Sequence, residues 1–233
     1  HDGLEQLSVV LFEAGRELPL RVRSTSARVD TGRPVLTLVQ VTGDGRFEVT
    51  TQARLAPAKP YLELVSRVQV RDRAPARLRI GDRVRFVHDP PFAPGLGEVE
   101  MPHRAWLSWF GGGSRRAAYG LVFPDGPVEV AFQRPIQGAS EELARTAEAQ
   151  VEPNGSLSYR RWLLVTPGNR TELAEMAWRL TGTPLGTAHG ALQPTPRWAS
   201  ITARDAADRP ILEVLVEPSG RFRLPLPPRE YRV

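Results

Sequence analysis

The sequence predicts an all-β protein with one or two short helices. Apolar and polar residues alternate along several segments, and turn-forming residues such as Gly, Pro, Asp and Asn separate these segments. Tyr61–Val70 is the clearest case, because Leu62 and Leu64 would lie on one face of a strand and Glu63 on the other. A repeat of two residues is typical of a strand with one buried face. Such strand signals dominate the chain, whereas the helical repeat is convincing only once.

Short turn motifs predict how the strands connect. Gly43-Asp44-Gly45 predicts a hairpin, since Gly and Asp accept the positive φ that tight hairpin turns require. Pro124-Asp125-Gly126 and Pro153-Asn154-Gly155 predict two more hairpins by similar chemistry. Near the C-terminus, a strand, a turn at 218–220 and a second strand form a unit that lacks a further strand to shield its edge. We therefore expect the chain to be a piece of a longer protein.

One segment carries the signals of a helix. Asn169 is a good N-terminal cap, Glu172 stands at the capping-box spacing, and Gly182 is suited to end the helix. The segment 141–149 also has a helix-friendly composition, but we predict a strand there because it leads directly into a turn. The apolar residues at helical spacing after Asn169 are Leu173, Met176, Ala177 and Leu180.

Composition excludes several functional classes. The 233 residues include no Cys, so disulfides and cysteine-based chemistry are excluded. No apolar run approaches the roughly 18–20 residues that span a bilayer. The net charge of +5 does not indicate nucleic-acid binding. Lys59 is the only lysine, and the arginines alternate with apolar residues along strands instead of forming a patch.

A change in composition predicts two domains. Thr, Gly and Pro are frequent in 183–196, after the helix and before renewed strand signals. We therefore place a domain boundary near Gly182, which divides the chain into 1–182 and 183–233.

Five segments together resemble a known fold family. Their order resembles a galactose-mutarotase-like β-supersandwich, as found before the catalytic domain of secreted bacterial hydrolases of the polymerase-and-histidinol-phosphatase (PHP) type. The resemblance implies that residues 1–182 form this supersandwich and that the protein is extracytoplasmic, either periplasmic or secreted. The five segments are Tyr61–Val70, Ile80-Gly81-Asp82, Phe92–Gly97, Tyr119-Gly120 and Tyr159–Val165.

The C-terminal part, 183–233, resembles a carboxypeptidase-regulatory-like domain. Gly220, Phe222 and Tyr231 match that family's sequence pattern. The resemblance implies a small, incomplete transthyretin- or Ig-like β-sandwich. The family has Gly after a pair of prolines, whereas this chain has Arg229, so we do not expect a backbone with positive φ at that position.

The resemblance to PHP-type enzymes does not extend to their metal site. That site needs several His with Asp and Glu, beginning with a His-x-His pair, whereas the four His of this chain are isolated. We predict neither a metal nor a cofactor. The resemblance then implies a non-catalytic region that scaffolds or binds for an adjacent PHP-type hydrolase domain in a longer chain, and that contacts carbohydrate. The four histidines are His1, His88, His103 and His189.

Two other functions stay open. An enzyme of the aldose-epimerase type needs an acid and a base at a sugar ring, and His88, His103 and Glu98 have suitable side chains. The competing interpretation is that both histidines are loop or surface residues. The second alternative is a standalone carbohydrate-binding module.

Aromatic residues in the same region indicate a platform for sugars. Aromatic faces stack on the C–H faces of pyranoses, while Arg side chains bind hydroxyls. We predict ligand contacts at Trp109, Tyr119, Arg115 and Arg116. Trp106 and Trp109 are three residues apart and would point to opposite faces of a strand, so at most one of them is exposed. The competing interpretation is that these aromatic residues pack in the core.

Overall fold

In the computed structural model, strands make up 65% of the described residues and helix only 5%, which confirms the all-β prediction. The structure describes residues 3–55, 60–87, 91–99, 101–113, 117–133, 139–167, 170–194 and 199–233. In chain order the elements are β1 (Gly3–Glu13), β2 (Arg16–Leu18), β3 (Leu20–Asp30), β4 (Arg33–Thr42), β5 (Phe47–Leu55), β6 (Tyr61–Val70), β7 (Ala76–Val87), β8 (Phe92–Ala93), β9 (Gly97–Glu98), β10 (His103–Leu107), β11 (Trp109–Gly113), β12 (Ala117–Val122), β13 (Val128–Phe132), β14 (Ala139–Arg145), β15 (Ala149–Val151), β16 (Ser156–Pro167), α1 (Arg170–Leu180), β17 (Gly186–Ala191), β18 (Ser200–Arg204), β19 (Pro210–Leu215) and β20 (Arg221–Leu226).

Two large antiparallel sheets form the body of the fold. The seven-stranded sheet has the order β10-β13-β14-β7-β1-β2, with β15 also paired to β7. The nine-stranded sheet has the order β3-β4-β5-β6-β16-β12-β11-β8-β9. The last four strands form two small sheets, in which β17 pairs with β20 and β18 pairs with β19. Strands β14 and β15 cover most of 141–149, so the strand prediction there is confirmed. Within the part of the chain that the structure describes, no helix is long and apolar enough to cross a membrane.

The main core lies between the two large sheets. Strand β6 shows the predicted alternation, because Leu64, Val68 and Val70 are buried while Arg67 is exposed. Burying one face of each strand against the opposite sheet removes apolar surface from water, which is the main favourable term in folding. Phe110 has no exposed surface, and its ring contacts three other rings in this core: Phe86, Phe123 and Phe132.

The helix α1 packs on the side of the nine-stranded sheet that faces away from the main core, and it forms a second core there. The helix prediction is confirmed, and Gly182 follows its end with a φ of 72°. Gly111 and Gly120 let Leu173 approach the sheet, since a Cβ at these positions would lie 2.5 and 2.8 Å from the Leu173 side chain. The predicted cap, Asn169, lies outside the described residues. Apolar residues of the C-terminal strands join the same core: Ile201, Ile211, Leu212, Leu224 and Leu226.

Two of the predicted hairpins are wrong, although the turns themselves are present. The turn at 43–45 joins the paired strands β4 and β5, as predicted. The turns at 124–126 and 153–155 instead connect β12 to β13 and β15 to β16, which belong to different large sheets. The turn at 218–220 likewise connects β19 to β20, which belong to different small sheets. A turn motif reverses the chain locally, but the other strands decide whether the two flanking segments pair.

Gly81 stands at a close approach of β7 and β14. A Cβ at this position would lie 1.9 Å from the carbonyl oxygen of Ala144. We expect Gly81→Ala to force the two strands apart and to lower the free energy of unfolding by roughly 1–3 kcal/mol, measured by urea denaturation. Gly43→Ala is the matched control, because nothing lies within 4 Å of its Cβ position. An equal loss of stability in both variants would contradict this reason.

Candidate functional site

Three of the predicted site residues lie outside the described part of the chain. They are His88, Arg115 and Arg116. Their roles in acid–base chemistry and in ligand binding therefore stay predictions.

Trp109 is buried in the second core, whereas Tyr119 is only half-buried. Only 4% of Trp109 is exposed, and its indole ring contacts the rings of Phe92 and Trp178 in the second core. Tyr119 is half-buried and packs against the main core on the opposite side of the same sheet. The competing interpretation, core packing, is therefore correct for Trp109. The reason is its strand position, which directs the side chain toward the helix.

Glu98 and His103 lie at the edges of different sheets. Glu98 is on β9, the last strand of the nine-stranded sheet, and forms an ion pair with Arg170 at the start of α1. His103 is exposed on β10, an edge strand of the seven-stranded sheet. The surface position of His103 agrees with the competing interpretation of the histidines. The proposed acid–base set stays a prediction, since His88 lies outside the described residues.

A different group of side chains comes together on the outer face of β10, β13 and β14. The strand register pairs Trp106 with Glu129, and Glu129 with Arg145. Trp106 is 56% exposed. The alternate residues of these strands, Leu107, Val130 and Ala144, point inward and are buried. We refer to the following residues as the outer face: Arg104, Trp106, Glu129, Leu143 and Arg145.

Charge on the outer face is predominantly positive. The Glu129 carboxylate is 2.9 Å from Arg79 Nη1, 3.2 Å from Arg145 Nη2 and 3.8 Å from Arg104 Nη1. The Arg145 guanidinium also lies 5.4 Å from the centre of the Phe12 ring, which holds it against the sheet. One carboxylate therefore faces three guanidinium groups, and the side chain of Arg104 remains 73% exposed. Arg104 is the cation of this group that is most available to an outside partner.

A depression of about 630 Å³ opens at one end of the outer face. Its polar lining comes from His103, Arg104, Gln133 and Arg145, and Leu143 contributes to its apolar lining. This volume lies within the range of small-molecule sites, which combine an apolar floor with a few polar groups that fix orientation. The depression therefore lies beside the exposed face of the neighbouring strands and is lined by several hydrogen-bond donors.

The side chains of this surface are suited to binding. An exposed indole can stack on a sugar ring, and the guanidinium groups can donate several hydrogen bonds each. Glu129, the carboxylate of the outer face, is held by its arginines. Among the described residues, no group of three or more His, Cys, Asp or Glu side chains could hold a metal ion.

The carboxyl groups with raised pKa values lie elsewhere, in the core. Burial raises the pKa of Glu142 to about 8. Burial also raises the pKa of Asp82, while the nearby Arg161 guanidinium lowers it. Perturbed carboxyl groups often mark active sites, but both of these side chains have no exposed surface. Their role in this fold is therefore structural.

Comparison with solved structures identifies proteins that share this fold. GH36 α-galactosidase AgaA from Geobacillus stearothermophilus matches 72% of this chain with a TM-score of 0.54 and 12% identity. GH36 α-galactosidase AgaB from the same organism matches 74% with a TM-score of 0.52 and 13% identity. The galactosidase domain of the α-galactosidase-sucrose kinase AgaSK matches 72% with a TM-score of 0.53 and 9% identity. No family model matches the chain, and no curated protein matches its sequence.

These likenesses establish the class of protein by fold. The chain is an all-β sandwich that shares its fold with a part of each of these three galactosidase chains. The chain spans 31% of the length of each of the three galactosidase chains. The PHP-type and carboxypeptidase-regulatory-like parts of the resemblance stay predictions.

Proposed function

We propose that this chain is a non-catalytic accessory region of a larger carbohydrate-active protein. The observation that supports it most directly is the likeness to the β-sandwich parts of α-galactosidases, in which the matched part is a minority of the whole chain. An accessory region of this kind positions a neighbouring catalytic domain or holds its substrate nearby.

The proposed contact surface for carbohydrate is the outer face. Trp106 offers a stacking surface, and Arg104 offers hydrogen-bond donors two residues before it on the same side of β10. Because three guanidinium groups surround one carboxylate, the surface favours saccharides that carry negative charge, such as uronates, over neutral ones.

The proposed partner is a hydrolase domain in the same longer chain of an extracytoplasmic protein. The α-galactosidase likeness favours a glycoside hydrolase domain, whereas the sequence resemblance favours a PHP-type domain. Sequencing the coding region on both sides of this chain identifies the neighbouring domain, and a neighbour unrelated to either hydrolase class would contradict this part of the proposal.

Trp106→Ala is the variant that tests the contact surface. We expect it to weaken binding of the tightest saccharide by about tenfold, because the stacking contribution of one aromatic ring is lost. The measurement is isothermal titration calorimetry with a panel that contains matched neutral and uronate oligosaccharides. Arg104→Ala should selectively reduce the preference for uronates.

Leu215→Ala is the control for this experiment, because it removes an exposed apolar side chain from β19, outside the outer face. It should leave binding unchanged. If Trp106→Ala binds every saccharide as well as the unaltered chain, the outer face is not the contact surface. If the unaltered chain binds no saccharide, the carbohydrate contact is wrong while the scaffolding role stands.

Polarimetry tests the non-catalytic part of the proposal. We expect the chain to leave the mutarotation rate of freshly dissolved α-galactose at its buffer value. Acceleration that disappears in His103→Ala would instead assign an aldose-epimerase activity to the chain.

A further inference from the structure

Strand β3 is a long edge strand, and no strand of the described part of the chain lies along its outer side. It runs over Leu20–Asp30 and is the first strand of the nine-stranded sheet, paired only with β4. Every residue of β3 after Leu20 is exposed. Such a row of free N–H and C=O groups is a template on which another strand can pair.

Two apolar side chains on β3 are unusually exposed. Val22 is 62% exposed and Val29 is 73% exposed. The strand register against β4 has Val22 opposite Gln40 and Ser24 opposite Val39, so Arg23 is an extra, bulged residue. Counting along the strand with this bulge left out places both valines on the same face of the sheet. An exposed edge with apolar side chains on one face indicates a surface that pairs with another strand.

We propose that β3 pairs antiparallel with β3 of a second copy of this chain, with the two-fold axis at Ser26. With Arg23 left out of the count on each strand, this register sets Val22 opposite Val29 of the second copy. It also sets Arg21 opposite Asp30 of the second copy. Every pair in this register joins side chains of the same face, so the two sheets continue into one.

The strand matches itself in charge, apolarity and size. The two Arg21–Asp30 pairs join opposite charges, and the two valine pairs remove exposed apolar surface from water. The residues nearest the axis are small, Ser24 to Ala27, so the two backbones can approach closely. Arg23 keeps its ion pair with Glu48 of its own chain, at 2.8 Å. The charges and apolar residues of β3 complement those of a second, antiparallel β3, which favours a second copy of this chain over an unrelated partner.

Charge reversal with compensation tests the register. We expect the chain to form a dimer of twice 25.8 kDa in sedimentation velocity as concentration rises. Asp30→Arg would set two arginines against each other at both symmetric positions and raise the dissociation constant roughly tenfold or more. The double variant Arg21→Asp with Asp30→Arg restores the opposite charges and should restore the dimer.

Val29→Lys is a second disrupting variant, and Leu215→Lys is its matched control. Both side chains are more than half exposed in the single chain, so neither change disturbs the core. Only Val29→Lys should dissociate the dimer. The absence of cysteine permits a third test, since Ser26→Cys would form a disulfide across the axis on oxidation, whereas Ser219→Cys on an exposed turn would not.

Three outcomes would overturn the proposal. A monomer at every concentration up to the solubility limit would mean that β3 has no second copy of the chain as its partner. A dimer that is unaffected by Asp30→Arg and by Val29→Lys would place the interface elsewhere. A dimer that the double variant fails to restore would contradict the register centred on Ser26.

Discussion

Replacing Asp82 by Asn is expected to lower the free energy of unfolding by about 3–5 kcal/mol, because it leaves a buried guanidinium without its counter-charge. Asp82 on β7 and Arg161 on β16 bridge the two large sheets through the main core. Arg161 Nη2 donates to Asp82 Oδ1 at 2.8 Å, and Nε lies 2.8 Å from Oδ2 without good hydrogen-bond alignment. The side chains are 1% and 0% exposed, so water cannot replace the lost partner.

The surroundings of Arg161 make this loss of charge costly. Arg161 Nη1 donates to Ser66 Oγ at 2.7 Å, and the Ser66 hydroxyl lies 2.8 Å from that of Thr51. The guanidinium carbon also lies 4.8 Å from the centre of the Tyr159 ring. These contacts fix the guanidinium in place, so it cannot rotate toward solvent when Asp82 loses its charge.

Chemical denaturation measures how much Asp82→Asn lowers the free energy of unfolding, and Arg83→Gln is the control. Arg83 is the next residue of β7, and its pairs with Glu17 at 2.7 Å and with Glu141 at 3.2 Å are both partly exposed, so their loss should cost about 1 kcal/mol or less. The double variant Asp82→Leu with Arg161→Met removes both buried charges and should recover much of the stability. A cost for Asp82→Asn no larger than that for Arg83→Gln would contradict the assigned role of the pair.

The ion pair between Asp82 and Arg161 could not be predicted from the sequence. Asp82 and Arg161 both belong to segments that carried the family resemblance, and both lie on long strands of the structure. The alternation of arginines with apolar residues along strands would place these arginines on the solvent-facing side of a sheet, which holds for Arg83 and Arg85 and fails for Arg161. A contact between residues 79 positions apart depends on the order of strands in both sheets, which alternation alone does not specify.

The same limit explains the errors in strand pairing. In the turns at 153–155 and 218–220, a Gly N–H donates to the carbonyl three residues earlier, at 2.8 Å in both cases. This local chemistry was predicted from the Pro-x-Gly motif. Whether the flanking strands join one sheet or cross between two depends on which neighbours bury their apolar faces, and that choice is not local.

Only part of the candidate site could be predicted from the sequence. Only one of Trp106 and Trp109 is exposed, as expected, but the predicted reason is wrong, because the two residues lie on β10 and β11 of different sheets and not on opposite faces of one strand. Trp109 faces the helix α1, and only the packing of that helix on the nine-stranded sheet makes this side of the strand interior. The pairing of Glu129 with Arg145 across β13 and β14 had no sequence signal, because the two residues meet only through strand register.

Glu142 is a second buried carboxyl group, and among the described residues no cation pairs with it. It lies on β14 with no exposed surface, opposite Val84 of β7 and Phe132 of β13, and neither carboxyl oxygen has a hydrogen-bond partner among the described residues. Burial raises its pKa to about 8. Ser140 offsets part of this rise, although its hydroxyl is not aligned for a hydrogen bond, and the neighbouring charge of Glu141 adds to it.

Glu142→Gln is therefore expected to stabilise the protein at alkaline pH and to leave it nearly unchanged at acidic pH. Between the ordinary carboxyl pKa of 4.5 and about 8, the folded state keeps a proton on Glu142 that the unfolded state has released. Stability should fall with rising pH across this window, by about 1.4 kcal/mol per pH unit from this one group, and level off above it. Free energies of unfolding measured at a series of pH values test this. The difference between the two proteins should grow through the window, because Gln has no proton to lose, and parallel pH profiles would show that Glu142 is already ionised in the fold.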